Sequence, residues 1–263
     1  MMKYFFEIAY YGKNYAGWQN QANAIGVQSV IENALSKLFR TPIKIVGSGR
    51  TDAGVHCEQQ FFHCELEMPF DYDTLIQKLN SFLPKDIAVQ AIRKVKPDAS
   101  ARYDAVGRTY HYRITRKKNP FLEGLAWHFF KPVDIKTMNR AAALLLGEHD
   151  FECFSKVKTD VNHFLCTVSK ASWQEEGQML EFTITANRFL RGMVRAIVGT
   201  LLDVGTGKTS MKEFREIIQS RDRKKAGANV PPYGLFLAKV VYPARIFVKE
   251  SDHPSLASVV DNR

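Results

Sequence analysis

Apolar residues at the start of the chain first alternate with polar ones and then recur at helical spacing. Residues 3–11 have the pattern of a β-strand. The following apolar positions fall on one face of a helix: Val27, Val30, Ile31, Ala34, Leu35, Leu38 and Phe39. Pro42 ends this helix. Segments 43–46 and 59–66 are predicted strands on either side of a loop marked by glycines.

A second helix and a further strand complete the first half of the chain. We predict that Asp73 caps the helix and that Pro84 ends it. Residues 87–95 are then expected to form a strand. The order strand, helix, strand, strand, helix, strand is typical of the ferredoxin-like fold, whose antiparallel sheet carries helices on one face and leaves the other free for a ligand.

The second half of the chain repeats this order. Its predicted elements are strand 108–115, helix 135–146 ended by Gly147, strands 165–173 and 179–187, helix 189–204, a helix that begins at the capping box of Ser210 and Glu213, and strand 235–242. We therefore predict an α+β protein with two ferredoxin-like (RRM-like) halves, whose antiparallel sheets join into one continuous sheet.

The predicted boundary between the halves lies in the polar stretch 96–107. This places the first half, with its glycine-marked loop, at residues 1–100 and the second at residues 101–245. Residues 246–263 form a polar tail that we expect to be peripheral.

Length and composition are those of a globular protein with a full core. Of its 263 residues, 45% are hydrophobic and 24% are charged, and no apolar run approaches the ~18 residues that a membrane span requires. The N-terminus is interpreted as the first strand and not as a signal peptide. The four cysteines form no CxxC pair, so we expect a reducing, cytoplasmic setting without disulfides.

The charge balance favours an anionic partner. The chain has 37 basic and 27 acidic residues, for a formal net charge of +10. Nine basic residues and two acids lie between Arg93 and Lys118, with Tyr103, Tyr110 and Tyr112 among them. Aromatic rings among cations suit RNA, because unpaired bases stack on the rings while phosphates meet the charge. A solvated basic face with tyrosines in the core is the alternative.

The most informative segment is residues 47–56, which reads Gly-Ser-Gly-Arg-Thr-Asp-Ala-Gly-Val-His. Its glycines permit a loop that brings Asp52 close to a bulky substrate. A carboxylate kept ionised by a neighbouring cation can act as a nucleophile or a general base. Taken alone, the segment also fits a turn with a capping aspartate.

Four motifs together resemble one enzyme family. They are Gly-Arg-Thr-Asp-Ala-Gly-Val-His at 49–56, the predicted strand from residue 108 together with the residues before it at 102–112, Phe-Leu-Arg-Gly-Met-Val-Arg at 189–195, and the closing segments 231–235 and 241–243. This set resembles the TruA family of tRNA pseudouridine synthases over about residues 3–243. Cys57 departs from the family pattern, as do Arg191 and Gly192, which occupy variable places and are not expected to touch the chemistry.

The resemblance implies an isomerase that converts uridine to pseudouridine at positions 38 to 40 of the tRNA anticodon stem-loop. The implied catalytic residues are Asp52, Tyr110 and Arg195, with Arg195 holding Asp52 ionised and Tyr110 stacking on the extracted base. Arg50 would fill the space that the flipped base leaves. Further RNA contacts are expected from Arg108, Arg116, Lys117 and Lys118. The ligand-free face of the sheet is then the expected RNA-binding cleft.

Each site assignment has a structural alternative. Tyr110 also fits a core position on its strand, and Arg195 borders an apolar helix stripe from which it could extend to water. The segment 205–209 ends like a phosphate-binding loop but lacks the first glycine, and His56, Cys57, His63 and Cys64 are poorly spaced for zinc. We expect no metal and no organic cofactor.

Other functions are weighed against the isomerase. A non-catalytic RNA-binding module needs only the basic charge and the tyrosines, but it has no use for a carboxylate that repels phosphate. A carboxylate glycosidase needs a second acid, and none lies in the loop. By resemblance we expect a homodimer acting on tRNA, with no membrane association.

Overall fold

The computed structural model describes residues 1–21, 23–67, 70–157 and 161–248. Within them the strands are β1 (Met2–Tyr10), β2 (Val46–Gly47), β3 (His56–Leu66), β4 (Ile87–Lys94), β5 (Gly107–Thr115), β6 (Trp127–His128), β7 (Gly147–Asp150), β8 (Leu165–Glu176), β9 (Met179–Ala186) and β10 (Leu235–Val241). The helices are α1 (Val27–Phe39), α2 (Tyr72–Phe82), α3 (Ile135–Ala143), α4 (Met193–Gly205) and α5 (Met211–Ser220).

Each half of the sheet has the ferredoxin-like strand order. In the first half β1 pairs antiparallel with both β3 and β4, and β2 adds to β3. In the second half β5 pairs antiparallel with β9 and β10, β8 follows β9, and β7 extends that edge. The predicted α+β class and the repeated topology are confirmed.

Strand β10 joins the halves into one sheet. The order is β4-β1-β3-β10-β5-β9-β8-β7, so β10 lies between β3 of the first half and β5 of the second. Its contact with β3 is parallel and covers two residue pairs, Phe236 with His56 and Leu237 with Cys57. The predicted continuous sheet is therefore mixed: it is antiparallel apart from two short parallel pairings, of β10 with β3 and of β6 with β5.

Each half buries its own hydrophobic core. In the first, Tyr4, Phe6 and Ile8 of β1 pack with Ile31 and Leu35 of α1. In the second, nearly every residue of α4 is buried against side chains of β5 and β9. Burial at about 25 cal/mol per Å² of apolar surface makes these two cores the main source of stability.

Several element ends differ from the predictions for local reasons. Residues 43–45 are not a strand, because the backbone N–H of Ile45 donates to Glu32 (3.2 Å) and its carbonyl accepts from Gln28 (3.1 Å), both on α1. The cap of α2 is Asp71 and not Asp73, since the Asp71 carboxylate accepts from the N–H of Thr74 (2.8 Å).

The later helices are shorter than predicted. Helix α3 ends at Ala143, and Gly147, with a φ of 95°, begins the unpredicted β7. Helix α4 starts at Met193 because Gly192 has a left-handed φ of 73°. The capping box of Ser210 and Glu213 at the start of α5 is confirmed.

The start of the polar tail pairs with the first half. The N–H of Lys96 donates to the carbonyl of Ile246 (2.9 Å), and the N–H of Val248 donates to that of Lys94 (3.2 Å). The rest of the tail, 249–263, lies outside the described residues. The four cysteines are free and buried. Among the helices that the structure describes, none has the length and apolarity for crossing a membrane.

Candidate active site

The loop that carries Asp52 is held by the end of β1 and the segment that follows it. The Tyr10 hydroxyl contacts the Thr51 hydroxyl (2.8 Å), and the Thr51 carbonyl accepts from the N–H of Trp18 (3.2 Å). Gly17 passes so close to the Thr51 carbonyl that a Cβ there would overlap it, and its φ of +90° favours glycine. These contacts fix the backbone on the N-terminal side of Asp52.

His56 fixes the other side of the loop. Its Nδ1 accepts from the N–H of Gly12 (3.0 Å), and its Nε2 lies 2.7 Å from the carbonyl of Gly124 and 3.1 Å from that of Tyr233. This pattern requires the proton on Nε2, and burial lowers the pKa of His56, which keeps the ring neutral. His56 is thus a structural anchor that ties four chain segments together.

Two arginines flank the carboxylate of Asp52. Arg195 Nη1 lies 3.6 Å from Oδ2, and Arg191 Nε lies 3.8 Å from Oδ1. Both distances are within the range of ion pairs but longer than a hydrogen bond. The Asp52 side chain is 29% exposed. The site therefore presents an accessible carboxylate held in positive surroundings, as a nucleophile or a general base requires.

The two arginines differ in how firmly they are held. Arg195, on the first turn of α4, donates from Nε to the carbonyl of Val230 (2.7 Å), and its side chain is 19% exposed. Arg191 precedes the helix, and its side chain is 62% exposed. The structure brings Arg195 beside Asp52, where the sequence predicted it. Arg191 was set aside as a variable position outside the chemistry, yet it also lies at ion-pair distance from Asp52.

Tyr110 lies next to this cluster on β5. Strand pairing aligns three residues in one row across the sheet: Tyr110 of β5 lies opposite Leu237 of β10, and Leu237 lies opposite Cys57 of β3. Its ring meets that of Phe189 edge to face, with centroids 5.0 Å apart. Burial raises the pKa of the Tyr110 hydroxyl and outweighs the lowering effect of the nearby Arg108, so the phenol stays protonated and can donate a hydrogen bond.

Arg108 joins three segments around the site. Its Nη1 donates to the carbonyls of Ala105 (3.1 Å) and Asn187 (2.8 Å), and its Nη2 donates to those of Ser48 (3.1 Å) and Arg102 (3.2 Å). With both terminal nitrogens engaged by backbone, this guanidinium positions the loops. The predicted direct contact between Arg108 and RNA has no support from this geometry.

The remaining predicted residues are not gathered at Asp52. Arg50 is exposed at the edge of the same loop. Arg116 pairs with Glu175 (2.7 Å) at the far end of β5, six residues after Tyr110, which corresponds to roughly 20 Å along a strand. Lys117 and Lys118 follow it, so this run lies apart from the candidate active site.

The site lies on the helix-bearing side of the sheet. Tyr110 shares its strand face with Tyr112 and Ile114, which pack in the second core with α4. We expected the RNA-binding cleft on the opposite face. The alternation of side chains along β5 instead directs Tyr110 toward the helix that carries Arg195.

Residues of the two other motifs, the segment 205–209 and the histidine and cysteine group, have partners within the fold. Lys208, in the segment that resembled a phosphate loop, binds the carboxylate of Asp203 (3.1 Å) after α4 ends. His63 accepts from the N–H of Ala101 (3.0 Å). These contacts explain the residues as helix-end and loop anchors.

Comparison with known proteins agrees with this geometry. A family described as tRNA pseudouridine synthase matches residues 8–104 and 141–243. The tRNA pseudouridine synthase A of Porphyromonas gingivalis is 48% identical over 94% of this chain and 100% of its own length. Its namesake in Parabacteroides distasonis is 49% identical over 95% and 100%. That of Bacteroides thetaiotaomicron is 45% identical over 99% and 98%. With matches over most of its length and an aspartate flanked by arginines at its centre, the chain belongs to the tRNA pseudouridine synthase family.

Proposed function

We propose that this protein isomerises uridine to pseudouridine in the anticodon stem-loop of tRNA, at positions 38 to 40. The reaction breaks the bond between N1 of the base and C1′ of the ribose and forms a bond from C5 to C1′. The proton on C5 is lost and N1 gains one, so atoms and electrons balance without an oxidant or a reductant. The observation that carries this proposal is the accessible Asp52 carboxylate between Arg191 and Arg195.

Each site residue has a role that its surroundings support. Asp52 attacks the nucleotide or abstracts a proton from it. Arg195 orients the carboxylate, since the Val230 carbonyl holds its guanidinium. Tyr110 contacts the extracted base and donates a hydrogen bond from its neutral hydroxyl. Arg50, exposed beside the loop, occupies the space that the base leaves, which offsets part of the unstacking cost of a few kcal/mol.

The direct test is to incubate purified protein with an unmodified tRNA transcript and to map new pseudouridines. We expect product at one or more of positions 38 to 40. A protein that binds this tRNA tightly but forms no pseudouridine would support the non-catalytic RNA-binding module instead. That alternative is not favoured, since a partly exposed carboxylate weakens binding to phosphate.

The two arginines should contribute unequally to catalysis. We expect Arg195→Ala to lower the single-turnover rate about 100-fold, with partial rescue by Arg195→Lys. Arg191→Ala should lower it by less than about 5-fold, because an exposed ion pair contributes only about 0–1 kcal/mol. Single-turnover measurements at saturating protein separate effects on the rate from effects on binding. Equal losses of rate in Arg195→Ala and Arg191→Ala would contradict the unequal contributions of the two arginines.

Tyr110→Phe tests the hydroxyl separately from the ring. The ring and its contact with Phe189 remain, so we expect tRNA affinity to stay within a few fold of the parent. Product formation should fall about 100-fold if the hydroxyl participates in proton transfer. An unchanged single-turnover rate would leave Tyr110 as a stacking surface only.

The basic run at the end of β5 is proposed to follow the tRNA backbone away from the site. Replacing Arg116, Lys117 and Lys118 with glutamine should weaken binding to every tRNA alike. Each lost phosphate contact should lower the slope of log affinity against log salt by about 0.7–0.9. Arg116 already pairs with Glu175, so we expect most of the change from the two lysines. An identical slope in parent and variant would place the run off the RNA path.

The assembly and the setting are also proposals. We propose a homodimer in the cytoplasm that binds tRNA without a metal or an organic cofactor. Light scattering of the purified protein, alone and with tRNA, measures the subunit number. A monomer at micromolar concentration that modifies tRNA at full rate would contradict the dimer.

A further inference from the structure

A turn at residues 100–104 carries an aromatic ring that the fold does not use. Tyr103 is 79% exposed, although Ala99 and Ala101 on the same turn are buried. Single exposed hydrophobic side chains are common and need no explanation by themselves. Three further observations set Tyr103 apart: the rigidity of its turn, its link to the Asp52 loop, and its cationic neighbour.

The turn is held rigidly at its base. The N–H of Ser100 donates to the Asp104 carboxylate (2.7 Å), and the N–H of Asp104 donates back to the Ser100 carbonyl (3.1 Å). Both backbone groups of Ala101 are engaged, its N–H by His63 (3.0 Å) and its carbonyl by the Tyr242 hydroxyl (2.5 Å). The ring is therefore presented from a fixed backbone, and a ligand does not have to pay for ordering that backbone.

The same turn is tied to the candidate active site. Arg108 Nη2 donates both to the carbonyl of Arg102, next to Tyr103, and to that of Ser48, in the segment that carries Asp52. One guanidinium nitrogen thus holds the turn and the catalytic loop in a fixed relation. Tyr103 is thus one residue away from a carbonyl group that shares its hydrogen-bond donor with Ser48, four residues before Asp52.

The chemistry around the ring is that of a nucleic-acid contact. The guanidinium carbon of Arg102 lies 5.4 Å from the centre of the Tyr103 ring. Arg102 and Arg50 are both exposed. An aromatic face beside the exposed guanidinium group of Arg102 suits a stacked base together with its phosphate. A protein partner packed on an apolar surface would not need this cation.

We propose that Tyr103 is a stacking platform for a second unpaired base of the substrate RNA, distinct from the uridine at Asp52. Arg102 then holds the phosphate of that nucleotide. This inference rests on the proposed function. Tyr103 is then a substrate-binding residue and Arg102 a positioning residue for the proposed reaction.

Fluorescence of 2-aminopurine tests the platform. The base is placed in turn at each unpaired position of an RNA stem-loop that the parent protein modifies, and fluorescence is recorded as protein is added. We expect one position, other than the target, at which the parent and Tyr103→Phe quench the signal and Tyr103→Ala does not. Tyr103→Ala should also weaken affinity roughly 5-fold to 100-fold, the range for losing one stacked base.

A control variant and a variant of Arg102 separate loss of base stacking from loss of a phosphate contact. Phe82→Ala is the matched control, because Phe82 is a 53% exposed aromatic residue on another element, at the end of α2. We expect parent affinity and rate from it. Arg102→Gln should lower the salt slope of binding, whereas Tyr103→Ala should leave that slope unchanged. Thermal unfolding should not change in any of the three variants.

Two results would overturn the platform. One is parent affinity and parent quenching in Tyr103→Ala. The other is a loss of the homodimer in Tyr103→Ala by light scattering, which would assign the ring to a contact between two copies of the chain. Absence of pseudouridine with the parent protein would instead contradict the proposed function, and mapping product in the same reactions distinguishes the two failures.

Discussion

Asp52→Asn is expected to abolish pseudouridine formation while leaving the fold and tRNA binding intact. The amide has nearly the shape of the carboxylate, but it cannot act as a nucleophile or take up a proton. The rate should fall at least about 100-fold, and up to about 10⁴-fold. The two arginine pairs are longer than hydrogen bonds and partly exposed, so losing them should change the free energy of unfolding by less than about 1 kcal/mol.

The measurement is single-turnover product formation at saturating protein, with tRNA affinity measured in parallel. Glu148→Gln is a suitable control, because it replaces a carboxylate by an amide at an exposed position on the edge strand β7, away from the site. It should keep the parent rate. A tenth of the parent rate in Asp52→Asn would remove Asp52 from the chemistry.

Gly12→Ala should have a large structural effect on the loop that carries Asp52. A Cβ at Gly12 would overlap the carbonyl oxygen of Val55 and lie 2.6 Å from its carbonyl carbon. Relief requires movement of the backbone between Asp52 and His56, and the hydrogen bond from the N–H of Gly12 to His56 would be strained with it. We expect a loss of about 1–3 kcal/mol in the free energy of unfolding and at least a 10-fold loss of activity.

Gly49→Ala is the matched control for this change. Gly49 belongs to the same motif as Asp52, yet a Cβ there meets no atom within 4 Å. Denaturant unfolding should show a near-parent midpoint for Gly49→Ala and a lower one for Gly12→Ala. Equal midpoints would mean that the loop between Asp52 and His56 adapts to the extra methyl group.

Long periodic elements were predictable from the sequence because their own residues determine them. Helix α1 begins and ends where its apolar stripe does, and α5 begins at its capping box. The segment 43–45 has strand-forming residues but bonds to side chains of α1, which no local pattern contains. Strands β6 and β7 have two and four residues, too few for alternation to be visible.

Within the site, the residues of a long motif could be named from the sequence, and residues placed only by tertiary contact could not. Asp52, Tyr110 and Arg195, which the family resemblance names, lie close together, and their roles stay predictions. Arg191 was set aside as variable, although it flanks Asp52. Arg191 lies just before α4, separated from it by Gly192 with a left-handed φ of 73°. The sequence shows this glycine but not the contact between Arg191 and Asp52, which forms only in the folded protein.

The position of β10 has a consequence for how the enzyme is made. This strand lies between β3 and β5, and it bridges the row from Cys57 to Tyr110. Among the strands of the described residues it is also the last in chain order. During synthesis the first half can pair its own strands early, but β3 and β5 are joined only after residues 235–241 leave the ribosome. A chain that lacks these residues therefore lacks the strand that joins the two halves of the sheet.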